Sequence, residues 1–190
     1  MKNRISECIQ KSVDNFNTIL TDENLGQTIE QIAGLCIVAF RKDKKMLLCG
    51  NGGSASDAQH IAAELSGRFY KDRKPLYAVA LHVNSSFITA VANDYGYDET
   101  YARMTEAAGR EGDILLGIST SGNSLNVVNA LQKANEIGLT TIGFTGNSGG
   151  KMASICDYII KIPSDDTPRI QEAHILIGHI ICQLIEEELF

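Results

Sequence analysis

Apolar positions in the first forty residues recur at three- and four-residue steps. Ile5, Ile9, Val13, Phe16 and Leu20 form one stripe, and Leu25, Ile29, Ile32, Cys36, Ile37 and Phe40 form a second. This spacing predicts two helices within 3–42. The Thr21-Asp22-Glu23-Asn24 cluster between them supplies a turn and a new N-cap. A helical hairpin must bury its stripes on the main body or on another subunit, and the pattern favours neither.

From residue 46 the rhythm changes. Short apolar runs at Met46–Cys49, Leu76–Leu81, Ile114–Ile118, Leu139–Phe144 and Tyr158–Ile162 read as strands. Helical patterns fill 54–69, 85–92, 98–109, 123–137 and a short stretch near 149–154. Strands alternating with helices predict right-handed crossovers and a mostly parallel sheet covered on both faces. Thr167 to Leu189 reads as one long helix with Pro168 in its first turn, where a missing N–H costs little. No linker or low-complexity tract interrupts this order. The expectation is a single α/β domain over 1–190, with a helical hairpin at 1–42 and a core with its C-terminal helix at 43–190.

In open parallel sheets, ligands sit beyond the carboxyl ends of the strands. Two turns there stand out. Gly50-Asn51-Gly52-Gly53-Ser54 precedes the helical run Ala55–Phe69, and Ser54 with Asp57 fits a capping box. Ser119-Thr120-Ser121-Gly122-Asn123-Ser124 precedes another helix and offers four hydroxyls beside orphan amides. Helix N-termini of this kind bind phosphate without net positive charge. Neither turn matches Gly-x-Gly-x-x-Gly or Gly-x-x-x-x-Gly-Lys-Ser/Thr, which disfavours dinucleotides and nucleoside triphosphates. Phosphosugar binding is the reading that remains.

Composition narrows the picture further. The chain has 190 residues and a formal charge of −6, with a pI of about 5.2. That acidity argues against nucleic-acid binding, which needs a basic face. The amino terminus carries no secretory apolar region, and the apolar segment Ile175–Ile185 is too short to span a bilayer. Cys8, Cys36, Cys49, Cys156 and Cys182 are scattered, with no Cys-x-x-Cys pair. They read as small buried residues in a reducing cytosol.

His60 and Glu64 lie four apart on one helix and share a face about 40° wide. Gln171 and His179, eight apart on the last helix and about 80° around from each other, can converge on one point. His174 lies about 140° from His179, which marks it as structural or supporting. Taken singly, each has an ordinary structural explanation, and the spacing alone does not establish a metal.

The pattern Gly-Asn-Gly-Gly-Ser-x-x-Asp-x-x-His-x-x-x-Glu-Leu at 50–65 resembles the sugar-isomerase (SIS) domain of bacterial phosphoheptose isomerases. So do Asn93-Asp94, Gly109-Arg110-Glu111-Gly112-Asp113, the run from Gly117 to Ser124, and Arg169-Ile170-Gln171-Glu172-x-His174. The likeness covers essentially the whole chain. It implies a three-layer αβα SIS fold with a five-stranded parallel sheet and an N-terminal helical extension. It also implies a cytoplasmic homotetramer with active sites at subunit interfaces. The implied activity is an intramolecular oxidoreduction, sedoheptulose 7-phosphate to D-glycero-D-manno-heptose 7-phosphate, serving the surface heptose of lipopolysaccharide or capsule.

By resemblance, His60, Glu64, Gln171 and His179 would ligate one zinc per subunit. Glu64 would be the base and His179 the acid of an enediol proton transfer. Ser119, Thr120, Ser121 and Ser124 would hold phosphate. Asn51, Gly52, Gly53 and Ser54, with Glu64, Asn93, Asp94 and Gln171, would contact the sugar. His82-Val83-Asn84 departs from the Thr/Ser–Asp pattern of many relatives, although Asn84 can still cap the next helix. The rival from another class is a non-catalytic SIS protein that binds the replication initiator or senses sugar phosphates. Isomerisation of a five- or six-carbon sugar phosphate is a third reading.

Overall fold

The computed structural model describes residues 1–190, Lys2 through its backbone alone. Helices α1 (Lys2–Leu20) and α2 (Glu23–Arg41) lead into β1 (Met46–Gly50) and α3 (Gly53–Ser66). Then come β2 (Ala78–Ala80), α4 (Ser85–Tyr95), α5 (Thr100–Ala108), β3 (Ile114–Ile118) and α6 (Leu125–Glu136). The chain closes with β4 (Thr140–Thr145), β5 (Tyr158–Lys161) and α7 (Thr167–Leu189). Short 3-10 turns occupy Tyr97–Glu99 and Gly150–Ser154. The five strands are all parallel, in the order β2-β1-β3-β4-β5.

Alternation along the strands builds two cores. Met46 and Leu48 face α2, α3 and α7, together with Leu116, Ile118 and Phe144. Leu47, Cys49 and Leu115 face the other way, onto Tyr101, Val127 and Leu131 of α5 and α6. Strands buried on both faces read as continuous apolar runs, as β1 and β3 do. The expected three-layer αβα architecture with a five-stranded parallel sheet is the one observed.

The two N-terminal stripes meet different fates. That of α2 is buried against the sheet and α7, from Leu25 to Phe40, and Asp22 caps its start by accepting the Leu25 N–H at 3.0 Å. The α1 helix is held to α7 by polar contacts: Arg169 Nη1 to the Cys8 carbonyl and Ser12 Oγ to Glu172. Its Ile5, Ile9 and Val13 stay exposed.

Several boundaries depart from expectation. The helix expected over 54–69 stops at Ser66, because buried Glu186 captures the N–H groups of Phe69, Tyr70 and Lys71 and so diverts the chain. Glu186 is 1% exposed and pairs with Arg73 Nε at 2.9 Å. Burial would raise its carboxyl, but those N–H donors and Arg73 outweigh it and hold the group below its ordinary value. The proposed Ser54/Asp57 capping box does not form: the N-cap is Gly52, with φ 56°, and no side chain caps α3. Asn84, by contrast, accepts the Phe87 N–H as expected, and Pro168 sits in the first turn of α7. The second strand shrinks to three residues at the sheet edge, where it has one neighbour. Cys36, Cys49 and Cys182 are buried and Cys156 is partly so, but Cys8 is exposed on α1.

His174 is wholly buried beside Phe144 and donates Nε2–H to the Thr145 carbonyl at 3.1 Å. Burial pulls its pKa down from 6.5 to about 4, against the opposing pull of that carbonyl. Between these values the unfolded chain binds the extra proton, so stability falls as pH drops from 6.5 towards 4. The urea midpoint should decline across that window, and His174→Gln should flatten the decline; an unchanged slope would clear His174 of the effect.

Candidate active site

The strand order reverses direction between β1 and β3, and both candidate turns lie at that switch point. These strands pair in register from Met46 with Ile114 to Gly50 with Ile118. The glycine turn and the hydroxyl turn therefore leave the sheet side by side, where parallel sheets open a ligand crevice. Sequence order alone, 65 residues apart, could not supply that adjacency.

The hydroxyl turn is organised from within. Ser119, 4% exposed, has its Oγ 3.0 Å from Ser124 Oγ and 3.5 Å from Ser121 Oγ. Ser121 Oγ accepts the Asn123 N–H. Ser124 is the N-cap of α6, yet its hydroxyl caps no backbone group. With Thr120 partly exposed and Ser121 exposed, the turn offers hydroxyls and the positive end of α6 to an anion.

The second half of the site lies on the seam between α3 and α7. Two glycines let these helices touch. A Cβ on Gly178 would meet Ile61 at 2.6 Å, and one on Gly53 would meet the Gln171 amide at 2.5 Å. This close approach sets His179 beside His60, with their Nε2 atoms 3.3 Å apart. Glu64 Oε1 lies 2.9 Å from the same His60 nitrogen. The ligand atoms of His60, Glu64 and His179 all fall within 4.8 Å of one another. A neutral imidazole carries one N–H, so His60 Nε2 can donate to only one of its two neighbours. Two imidazole nitrogens and a carboxylate oxygen converging on one point are a donor set suited to a zinc-type ion.

Gln171 stands at the other end of the seam. It contacts Gly53, whereas His179 meets His60 about 12 Å of helix rise further along. The side chains that one chain gathers are thus His60, Glu64 and His179, with Gln171 beside the glycine turn and Ser54 buried there. Asn93 and Asp94 are exposed at the end of α4 and bond to each other at 2.8 Å.

The sequence pattern assigned Asp57 only a capping role and did not single out Arg73 or Glu186. Asp57, one turn before His60, is pushed up to about 6 by burial, with His60 pulling the other way. Its Oδ2 is buried without a hydrogen-bond partner. Helical spacing (57, 60, 64) could have flagged it. Arg73 donates to the Glu64 and Leu65 carbonyls while paired with Glu186. It thereby fixes the end of α3 that carries Glu64. The seven-residue step from His179 to Glu186 was the one available hint of that clamp. Phe69, tied down by Glu186, lies with its ring 5.7 Å from that of His179.

Comparison with known proteins identifies the family and the fold. The SIS domain family model matches residues 11–146. The phosphoheptose isomerase of Clostridium acetobutylicum is 53% identical over 190 residues, covering 100% of this chain and 97% of its own. That of Sulfurimonas denitrificans is likewise 53% identical with the same coverage. Among solved structures, the Neisseria gonorrhoeae phosphoheptose isomerase superposes with a TM-score of 0.92 at 40% identity, covering 98% of both chains. The Francisella tularensis enzyme gives 0.94 at 35% identity, covering 97% of both. A switch-point crevice flanked by a hydroxyl turn, a histidine–glutamate cluster on the α3–α7 seam and this full-length likeness lead to one conclusion: the chain belongs to the phosphoheptose isomerases of the SIS family and is a sugar-phosphate isomerase.

Proposed function

We propose that the substrate is sedoheptulose 7-phosphate and the product D-glycero-D-manno-heptose 7-phosphate. The observation that carries this reading is the convergence of His60, Glu64 and His179 within 4.8 Å, on the α3–α7 seam whose other end meets the glycine turn at Gly53 and Gln171. A complete acid–base set of this kind also disfavours the non-catalytic alternative.

In this mechanism Ser119, Thr120, Ser121 and Ser124 anchor the phosphate, and the chain beyond it reaches towards α3 and α7. Glu64 takes the proton from C1 of the ketose while His179 donates one to the C2 carbonyl oxygen, giving the enediol. His179 then takes the O1 proton, Glu64 returns its proton to C2, and the C1 aldehyde forms. C1 is oxidised and C2 reduced, with no external redox partner. General acid–base groups placed in this way contribute about 10²–10⁴-fold. Asn93, Asp94, Ser54 and Gln171 are assigned to the sugar. His60, Glu64 and His179 would hold a zinc ion; Gln171, expected by resemblance as a fourth ligand, lies against Gly53 at the opposite end of the seam and does not join them within one chain. When bound, the ion would orient this pair and polarise substrate oxygens.

The assembly reading is a homotetramer. Ile5, Ile9, Val13 and Leu20 of α1 are 61%, 60%, 42% and 83% exposed. Leu176 and Ile180 extend the apolar surface on α7. A stripe of this kind on a helix suits burial against another copy. None of the helices is long and apolar enough to cross a membrane, among the described residues. We assign the enzyme to the cytoplasm and to the supply of surface heptose for lipopolysaccharide or capsule.

Purified protein given sedoheptulose 7-phosphate should yield the aldose, and Glu64→Gln should cut kcat by about 10²–10⁴-fold without moving the melting temperature. Absence of product from the wild type, with or without zinc, would overturn the substrate assignment. Metal analysis after zinc loading and dialysis should find about one ion per chain, lost in His60→Ala; a wild type that retains none would remove the zinc. Light scattering should give four chains per particle, and Ile9→Glu should dissociate it; a monomeric wild type would refute the assembly.

A further inference from the structure

Asn51, in the glycine turn, and Asn126, two residues beyond Ser124 in α6, meet as a reciprocal amide pair. Asn51 Nδ2 donates to Asn126 Oδ1 at 2.9 Å, and Asn126 Nδ2 donates back to Asn51 Oδ1 at 3.0 Å. Neither oxygen has capacity left. Asn51 Oδ1 also accepts the Tyr97 hydroxyl at 2.9 Å, and Asn126 Oδ1 also accepts the Val127 N–H at 3.0 Å. An amide oxygen has two lone pairs, and here both are used.

The surroundings make the pair rigid. Asn126 is 2% exposed. Beneath it, Tyr101, 1% exposed, donates its hydroxyl to the Gly50 carbonyl at 2.6 Å. A buried amide that loses its partner bears its desolvation cost alone, so the two asparagines hold or fail together. Asn126 sits in the first turn of α6, whose N-cap is Ser124. The Ser119–Ser124 contact at 3.0 Å continues the link into the hydroxyl turn. On the other side, the Asn51 carbonyl accepts the Ser54 N–H at 3.0 Å, at the start of α3.

We propose that the Asn51–Asn126 pair, braced by Tyr97, is a clasp that couples the two ligand turns. An anion held at Ser119–Ser124 then orders the glycine turn that faces the sugar. The inference rests on the phosphate reading given above and adds two positioning residues, Asn126 and Tyr97. It also makes Asn51 chiefly a positioning residue, since its oxygen has no room for a sugar hydroxyl.

Hydrogen–deuterium exchange of the full chain, with and without inorganic phosphate, tests the clasp. In the wild type, phosphate should slow exchange in both 50–54 and 119–124. In Asn126→Ala, protection should persist at 119–124 and fall about tenfold at 50–54. Equal protection of both turns in that variant would overturn the clasp, and so would protection confined to 119–124 in the wild type. Protection of neither turn in the wild type would overturn the phosphate anchor and the clasp with it. If Asn126→Ala does not fold, Tyr97→Phe, on a ring 51% exposed, gives the same comparison. It should lower protection at 50–54 about threefold, and undiminished protection there would refute the proposal.

Discussion

The in-register pairing of β1 with β3 is the constraint on which the rest of the site depends. It brings Gly50 opposite Ile118, and both chains then turn outward at the same edge of the sheet. Parallel strands need long crossovers. The residues between these two strands can therefore wander through β2, α4 and α5 without disturbing their partnership. The glycine turn and the hydroxyl turn are both positioned by that edge.

A second constraint acts on the seam of α3 and α7. Ordinary side chains would hold these helices apart, and the gap would leave His60 and His179 out of reach of each other. Gly178 against Ile61, and Gly53 against Gln171, remove that barrier. At the far end, Glu186 and Arg73 secure the strap that follows α3 and hold the Glu64 carbonyl. A buried charge pair is costly unless every hydrogen bond is made. Here the carboxylate has four donors, three of them backbone amides. The cost is offset by geometry, and the Glu64 carboxylate is carried on a fixed helix end.

Much of this was legible beforehand because it follows local periodicity. The helix at 23–41 is written in its apolar steps, and Asp22 in its cap. The angular offset of His174 from His179 separated a buried histidine from an exposed-face one, and the structure agrees. Legibility failed where a distant group intervened. Glu186 ends α3 three residues before its apolar pattern does, because three amides found a carboxylate more than a hundred residues away. The Ser54/Asp57 box failed for a related reason: glycine at the N-cap leaves no side chain to reciprocate.

By itself the sequence determined the order of strands and helices, the glycine turn and the hydroxyl turn, and the residue types that could move a proton or hold an anion. These depend on side-chain period, on turn chemistry and on motifs a few residues long. The tertiary structure decided which of them meet. It joined Asn51 to Asn126 and His60 to His179, set Gln171 at the opposite end of the seam, and packed Phe16 of the α1 stripe on the core while leaving Ile5, Ile9, Val13 and Leu20 uncovered. Such encounters arise from strand order and helix packing, which sum weak contacts over the whole chain, and no local pattern encodes them.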